Sequence, residues 1–194
     1  MIPLGYLAKH VAKRPAWLRA PDIEDVYSVS GCVSKPFADY VGYWKHNGYW
    51  LFDSPAIVRE LARDHSVDLV GAQLFFYAAY DRAFDGARWA IYHPEPSLRT
   101  EVVVPVESVL EGYDVVTYSS GTGAECSPLS CNGLAAEIET NRHCLLPTLE
   151  RAQRLLEEGR FSRSEPGPYR VLAVYSTAWP GAGDLPAEPR FART

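Results

Sequence analysis

Apolar and polar positions recur with two different periods along this chain, and the change of period divides it into strands and helices. Residues 25–33 alternate and are rich in β-branched side chains, which predicts a strand carrying Cys32 and ending before Pro36. Residues 40–52 form an aromatic run interrupted by Asn47 and Gly48. Both tolerate positive φ, so the pair predicts a hairpin with Trp44 and Trp50 flanking its turn. A helix follows: Ser54 suits the N-cap, Pro55 the first helical position, and Ile57, Val58, Leu61 and Ala62 make a buried stripe that fades by His65. Residues 67–80 are almost continuously apolar, as in a strand covered on both faces. Asp85 and Gly86 then turn the chain into an antiparallel strand over 87–92.

Further strands are predicted over 99–104, 112–119 and 169–177. Leu134, Ile138, Leu145, Leu149, Ala152 and Leu156 keep one helical register, but Pro147 cannot donate its backbone hydrogen bond and crowds the carbonyl of residue 143. Two helices are therefore expected, over 131–142 and 147–158, the second closed by Gly159. Leu4, Leu7, Ala8 and Val11 fall at helical spacing beside Lys9, Lys13, Arg14 and Arg19, the pattern of a transit segment or surface helix. With neither an apolar core segment nor a small-residue cleavage site, residues 1–21 are read as part of the folded chain. Residues 180–194 are irregular in pattern and expected to pack on their own domain or on a neighbouring copy, a route to a homo-oligomer. The expectation is one α+β domain over 1–194, with a mixed but predominantly antiparallel sheet and about three helices packed on it.

Composition narrows the functions. A chain of 194 residues with 47% apolar content buries a core without help from disulfides or metal. The net charge of −5 lacks the basic field that nucleic acid requires. No stretch approaches the roughly 20 apolar residues of a membrane span. Arginines outnumber lysines, which reads as coding bias of a GC-rich, bacterial genome, and a cytoplasmic setting with reduced cysteines is expected.

Candidate chemistry gathers at residues 119–144, where three of the four cysteines lie beside a histidine. Ser119, Ser120, Gly121, Thr122 and Gly123 form a small-residue loop after a strand, and with Ser130 and Asn132 they offer amides and hydroxyls for an anionic ligand. The loop lacks the Gly-Lys-Ser/Thr of a phosphate-binding loop. Cys131, at the expected helix start, and Cys126, in the loop, are candidate nucleophiles, with His143 or Glu125 handling the proton. An unbroken helix would hold Cys131 and His143 about 18 Å apart, so cooperation requires a bend. Cys126, Cys131, His143 and Cys144 also make up a Cys3His set for structural zinc, although adjacent helical residues point about 100° apart. Without such a site the cysteines are small core residues and no cofactor is needed. Ser119 and Ser120 with Glu137 and Glu139 resemble the serine and E-x-E elements of ADP-ribosyltransferases. That family places its E-x-E on a strand, whereas Ile138 here falls in a helical stripe.

Two classes of function follow. One is small-molecule binding, or thiol-dependent catalysis, at the 119–144 loop and helix start. The other is a non-catalytic interaction or immunity-type module whose face is the aromatic hairpin with Tyr40, Tyr43, Trp44, Tyr49, Trp50 and Phe52.

Overall fold

Two long strands that are apolar on both sides carry the architecture of the computed structural model, which describes residues 1–31, 33, 35–36, 46–92, 100–119 and 123–180. In chain order the elements are β1 (Ile2–His10), β2 (Ala12–Lys13), β3 (Asp25–Val26), β4 (Lys35–Pro36), α1 (Pro55–Asp64), β5 (Gln73–Phe84), β6 (Trp89–Ile91), β7 (Val109–Thr117), α2 (Leu149–Glu157) and β8 (Tyr169–Thr177). One sheet runs β4-β1-β5-β8-β7, with β6 also paired to β5, and every described pairing is antiparallel. β2 and β3 form a separate two-stranded ribbon.

Each α-helix covers one face of the sheet. Phe75, Tyr77 and Ala79 of β5 join Leu172 and Val174 of β8 and Val116 of β7 in a core cluster with Val58, Leu61 and Ala62 of α1. Phe84, Tyr169, Val171 and Val115 belong to a second cluster with Ala152, Leu155 and Leu156 of α2. Burying one such Val or Leu contributes roughly 1.5–3 kcal/mol, and each helix buries two of them beside an alanine. The helices begin as their sequences dictate. Ser54 Oγ accepts from Ile57 N at 3.4 Å with Pro55 in the first turn, and Thr148 Oγ1 accepts from Arg151 N at 3.1 Å. The chain leaves α2 through Gly159 at φ 69°.

Several expectations change. The helical spacing in residues 4–11 belongs to a strand: Leu4 to Lys9 are six successive buried residues of β1, packed from both faces. Coverage on both sides removes the alternation that identifies a strand. The strand expected over 67–80 begins only at Gln73 and runs on to Phe84. Over 25–33 only Asp25–Val26 is paired, and Cys32 lies outside the described residues. Thr100 to Val104 join no strand; the Glu101 and Val103 amides donate instead to the Asp53 carboxylate and carbonyl. The helix expected over 131–142 is a 3-10 turn, Leu134–Ala136, among other turns, so the described residues contain two α-helices rather than three. Gly133 enters that turn at φ 72°, and the Asn141 side chain accepts from the amides of His143 and Leu145. These local bonds compete with a continuing helix. Of the hairpin expected over 40–52, residues 40–45 lie outside the described residues, and 46–52 form a turn, with Trp50 at φ 59°, that joins no strand beyond a bridge from Phe52 to Tyr6.

The register of β7 slips between Leu110 and Gly112, leaving Glu111 as a bulged residue. Gly112 has φ 147°, and a Cβ there would lie 2.8 Å from Leu146 O and 2.9 Å from Leu145 Cβ. Gly112→Ala is therefore expected to lower stability by about 2–4 kcal/mol, backbone strain and overlap adding. Gly159→Ala, whose Cβ meets open space, should cost only about 1 kcal/mol. Urea denaturation midpoints of the two variants check this ordering.

Candidate functional site

The 119–144 stretch leaves and rejoins the outer edge of β7. Thr117 bridges Cys126 at one end, and Tyr113 bridges Leu146 near the other. His143 lies beside Glu111, with Nε2 3.8 Å from Glu111 Oε2. Thr117 and Glu111 are six residues, about 20 Å, apart along one strand, so Cys126 and His143 meet that strand near its opposite ends. The expected cluster is thus two groups.

At the Thr117 end, internal partners occupy the expected ligand donors. Glu125 Oε2 accepts from Ser119 N at 3.0 Å and from Ser119 Oγ at 2.8 Å. Gly123 packs against the Trp50 ring, to which an added Cβ would approach within 3.0 Å. Ser120, Gly121 and Thr122 lie outside the described residues. Cys126 Sγ donates to Asn132 Oδ1 at 3.7 Å. The Ser130 and Cys131 amides both donate to Ser127 O, at 3.1 and 2.7 Å, and Ser130 is buried. The amides expected to favour a Cys131 thiolate are therefore already bonded. Cys131 Sγ instead meets Ser30 Oγ at 3.3 Å. Cys144 is buried, and burial pushes its thiol far above the usual range, with Asp114 and Cys131 adding to the shift. Among the described residues no group of three His, Cys, Asp or Glu side chains is placed to hold a metal ion, so the Cys3His set does not converge. Glu137 and Glu139 flank the buried Ile138 just after the 3-10 turn rather than on a strand.

Between the two ends lies a buried polar clamp. Lys9, 1% exposed, donates from Nζ to the carbonyls of Ser28 and Ser30. From the opposite edge of the sheet, Asp114 accepts from Ser127 Oγ at 2.6 Å. Burial pushes the Asp114 carboxyl up to about 6; hydrogen bonds from Ser127, Ser28 and the Val29 amide, and the charge of Lys9, act against that rise. Segment 28–30 is thereby fixed across the core face of the sheet, and it carries Tyr27 at its start.

Tyr27 stands at the second group. Its ring stacks on His143 with centroids 3.9 Å apart, and Tyr27 N donates to His143 O at 3.2 Å. His143 Nδ1 lies 2.5 Å from Asp25 Oδ1, and Arg142 Nε donates to His143 Nε2 at 3.1 Å. A guanidinium can only donate, so Nε2 is the acceptor and the ring proton sits on Nδ1, given to Asp25. Glu111 completes the group, its Oε1 accepting from Ser176 Oγ at 2.5 Å. Burial raises the Tyr27 phenol, helped by the charges of Asp25 and Glu111 and opposed by Arg142 and a hydrogen bond with Gln73.

Of this group Tyr27, Glu111 and Ser176 border a cleft of about 530 Å³, whose lining also includes Gln73, Glu107 and Trp179. The volume suits a small molecule. Of this group the sequence pattern singled out only His143. Asp25, Tyr27, Glu111 and Ser176 carry no motif. The available signal was Gly112 inside a strand, which marks a bulge, and bulges re-aim neighbouring side chains.

The remaining expectations concern surfaces. Tyr49 and Phe52 are buried, Trp50 is 49% exposed, and Tyr40, Tyr43 and Trp44 lie outside the described residues. The tail beyond Pro180, expected to mediate oligomers, also lies outside them. Among the described residues no helix is long and apolar enough to cross a membrane. Comparison with known proteins finds no matching family model, no matching curated protein and no matching solved structure.

Two outcomes follow from the buried groups. The folded Asp114 carboxyl titrates near 6 against an ordinary 3.8, so the folded chain binds the extra proton between those values. Stability from this residue should rise as pH falls from 7.5 through 6 and be lost as pH rises again. The stability difference between wild type and Asp114→Asn should shift by about 1–3 kcal/mol between pH 7.5 and 5 in urea titrations. Cys144 should resist alkylation by iodoacetamide at pH 7.5 until the chain unfolds, as read by peptide mass spectrometry.

Proposed function

We propose that the protein binds a small polar molecule in the cleft at the neighbouring ends of β5, β8 and β7, with Glu111 as the principal acceptor. What carries this reading is the Glu111 carboxylate, turned by the bulge of β7, bonded by Ser176 and placed in the lining of a cleft. His143, oriented by Asp25, stands behind Glu111. His143 serves to position this wall of the cleft: Asp25 holds Nδ1, Nε2 accepts from Arg142 Nε, and the ring stacks on Tyr27, which does line the cleft. The reading keeps His143 from the expected site and moves the chemistry away from the cysteines. Thiol catalysis and anion binding at residues 119–132 have less support, because the described donors there are bonded internally.

A fragment screen observed by amide NMR tests the proposal. Binding fragments should shift the amides of Gln73, Ser108 and Ser176, and Glu111→Gln should weaken them about tenfold or more, since hydrogen bonds to a charged group contribute about 1.5–3 kcal/mol. Fragments that leave those amides unmoved, or bind Glu111→Gln equally well, would remove the site.

A further inference from the structure

The charge and shape of the cleft specify its ligand further. None of the residues lining it is basic, and its two charged groups are the carboxylates of Glu107 and Glu111. Among the described residues, no lysine or arginine forms an ion pair with either; His143 Nε2 lies 3.8 Å from Glu111 Oε2 but accepts from Arg142 Nε. A second cavity of about 570 Å³ lies against the first, and the two share Glu107, Thr177, Ala178 and Trp179. The second cavity is apolar, lined by Tyr6, Pro55, Val103, Val104 and Val106 among others. Three of these are strongly exposed: Val103 at 54%, Val104 at 57% and Val106 at 102%. The wall between the cavities is pinned, for Trp179 Nε1 donates to Ala72 O at 3.0 Å and Tyr6 OH to Val103 O at 2.7 Å. Arg59, whose guanidinium lies 5.4 Å from the Trp179 ring centroid, lines neither cavity.

Resting on the cleft reading above, we infer that the ligand is an organic amine with an apolar chain, its ammonium between Glu107 and Glu111 and its chain along the valine-lined cavity. An ammonium supplies the counter-charge that the two carboxylates lack, together with several hydrogen-bond donors for Glu111, Glu107 and the Gln73 amide oxygen. A carboxylate or phosphate ligand would meet like charge at the same place. Removing methylenes from water against Val103, Val104 and Val106 adds about fourfold in affinity per buried methylene.

Titration of the full chain with octylamine, octanol, octanoate and propylamine, below micellar concentrations and at fixed ionic strength, tests both halves. The readouts are calorimetry and the amide shifts of Gln73, Ser108, Val104 and Ser176. Octylamine should bind at least tenfold tighter than octanol, octanoate or propylamine, and should move all four amides. Glu107→Gln, an exposed substitution that leaves the fold intact, should bring octylamine several-fold closer to octanol, and adding Glu111→Gln should bring them level. Equal or tighter binding of octanoate or octanol at the same amides overturns the amine while leaving the cleft as a site. Propylamine binding as tightly as octylamine overturns the chain. If no probe moves Gln73, Ser108 or Ser176, the cleft reading and the inference fall together.

Discussion

An ammonium group withdrawn from water has to be surrounded by oxygen, and Lys9 achieves this with the backbone of a neighbouring segment. Its Nζ donates to the Ser28 and Ser30 carbonyls, while Asp114 meets the same segment from the far edge of the sheet. Neither charge would be tolerated alone at that depth, because an isolated buried ion costs several kcal/mol. Together they fix residues 28–30 over a sheet face, although this segment joins no strand of the sheet. Tyr27 follows from that placement: it rests on His143, and His143 sits between the carboxylates of Asp25 and Glu111. A polar pair in the core thus sets the geometry of a polar group at the surface.

The elements legible in the sequence are those whose ends carry their own signals. Ser54 with Pro55 marks α1, Asp85 with Gly86 marks the β5–β6 turn, and the stripe ending at Gly159 marks α2. Where signals were misleading, a tertiary partner outweighed local preference. Val102, Val103 and Val104 have strong strand propensity, yet this segment's amides answer to Asp53. Leu134 and Ile138 do share one turn, through Ile138 N to Leu134 O at 2.8 Å, but Asn141 redirects the chain before a second turn forms.

The candidate site was legible only in part, and for a geometric reason. Its members come from β7, β8, the 25–27 segment and the turn at 141–144, so no local window contains more than one or two of them. Cysteines close in sequence suggested a centre, but the strand that brings the chain to Cys126 also separates it from His143. What is adjacent along residues 126–143 is spread along β7, and what is remote, such as Asp25 and Ser176, converges.

The position of β8 sets the order in which this molecule can be assembled. It is the last of the described strands in sequence, yet it lies between β5 and β7 and is the strand that joins them. Before it docks, β5 can pair with β1 and β6, but β7 has no strand beside it, and closing β8 into the gap requires contacts between distant parts of the chain. Gln73, Glu111 and Ser176 belong to β5, β7 and β8 respectively. A chain halted before β8 would lack one wall of the cleft and much of the sheet surface on which both helices pack. The cleft in this architecture therefore exists only once folding has finished.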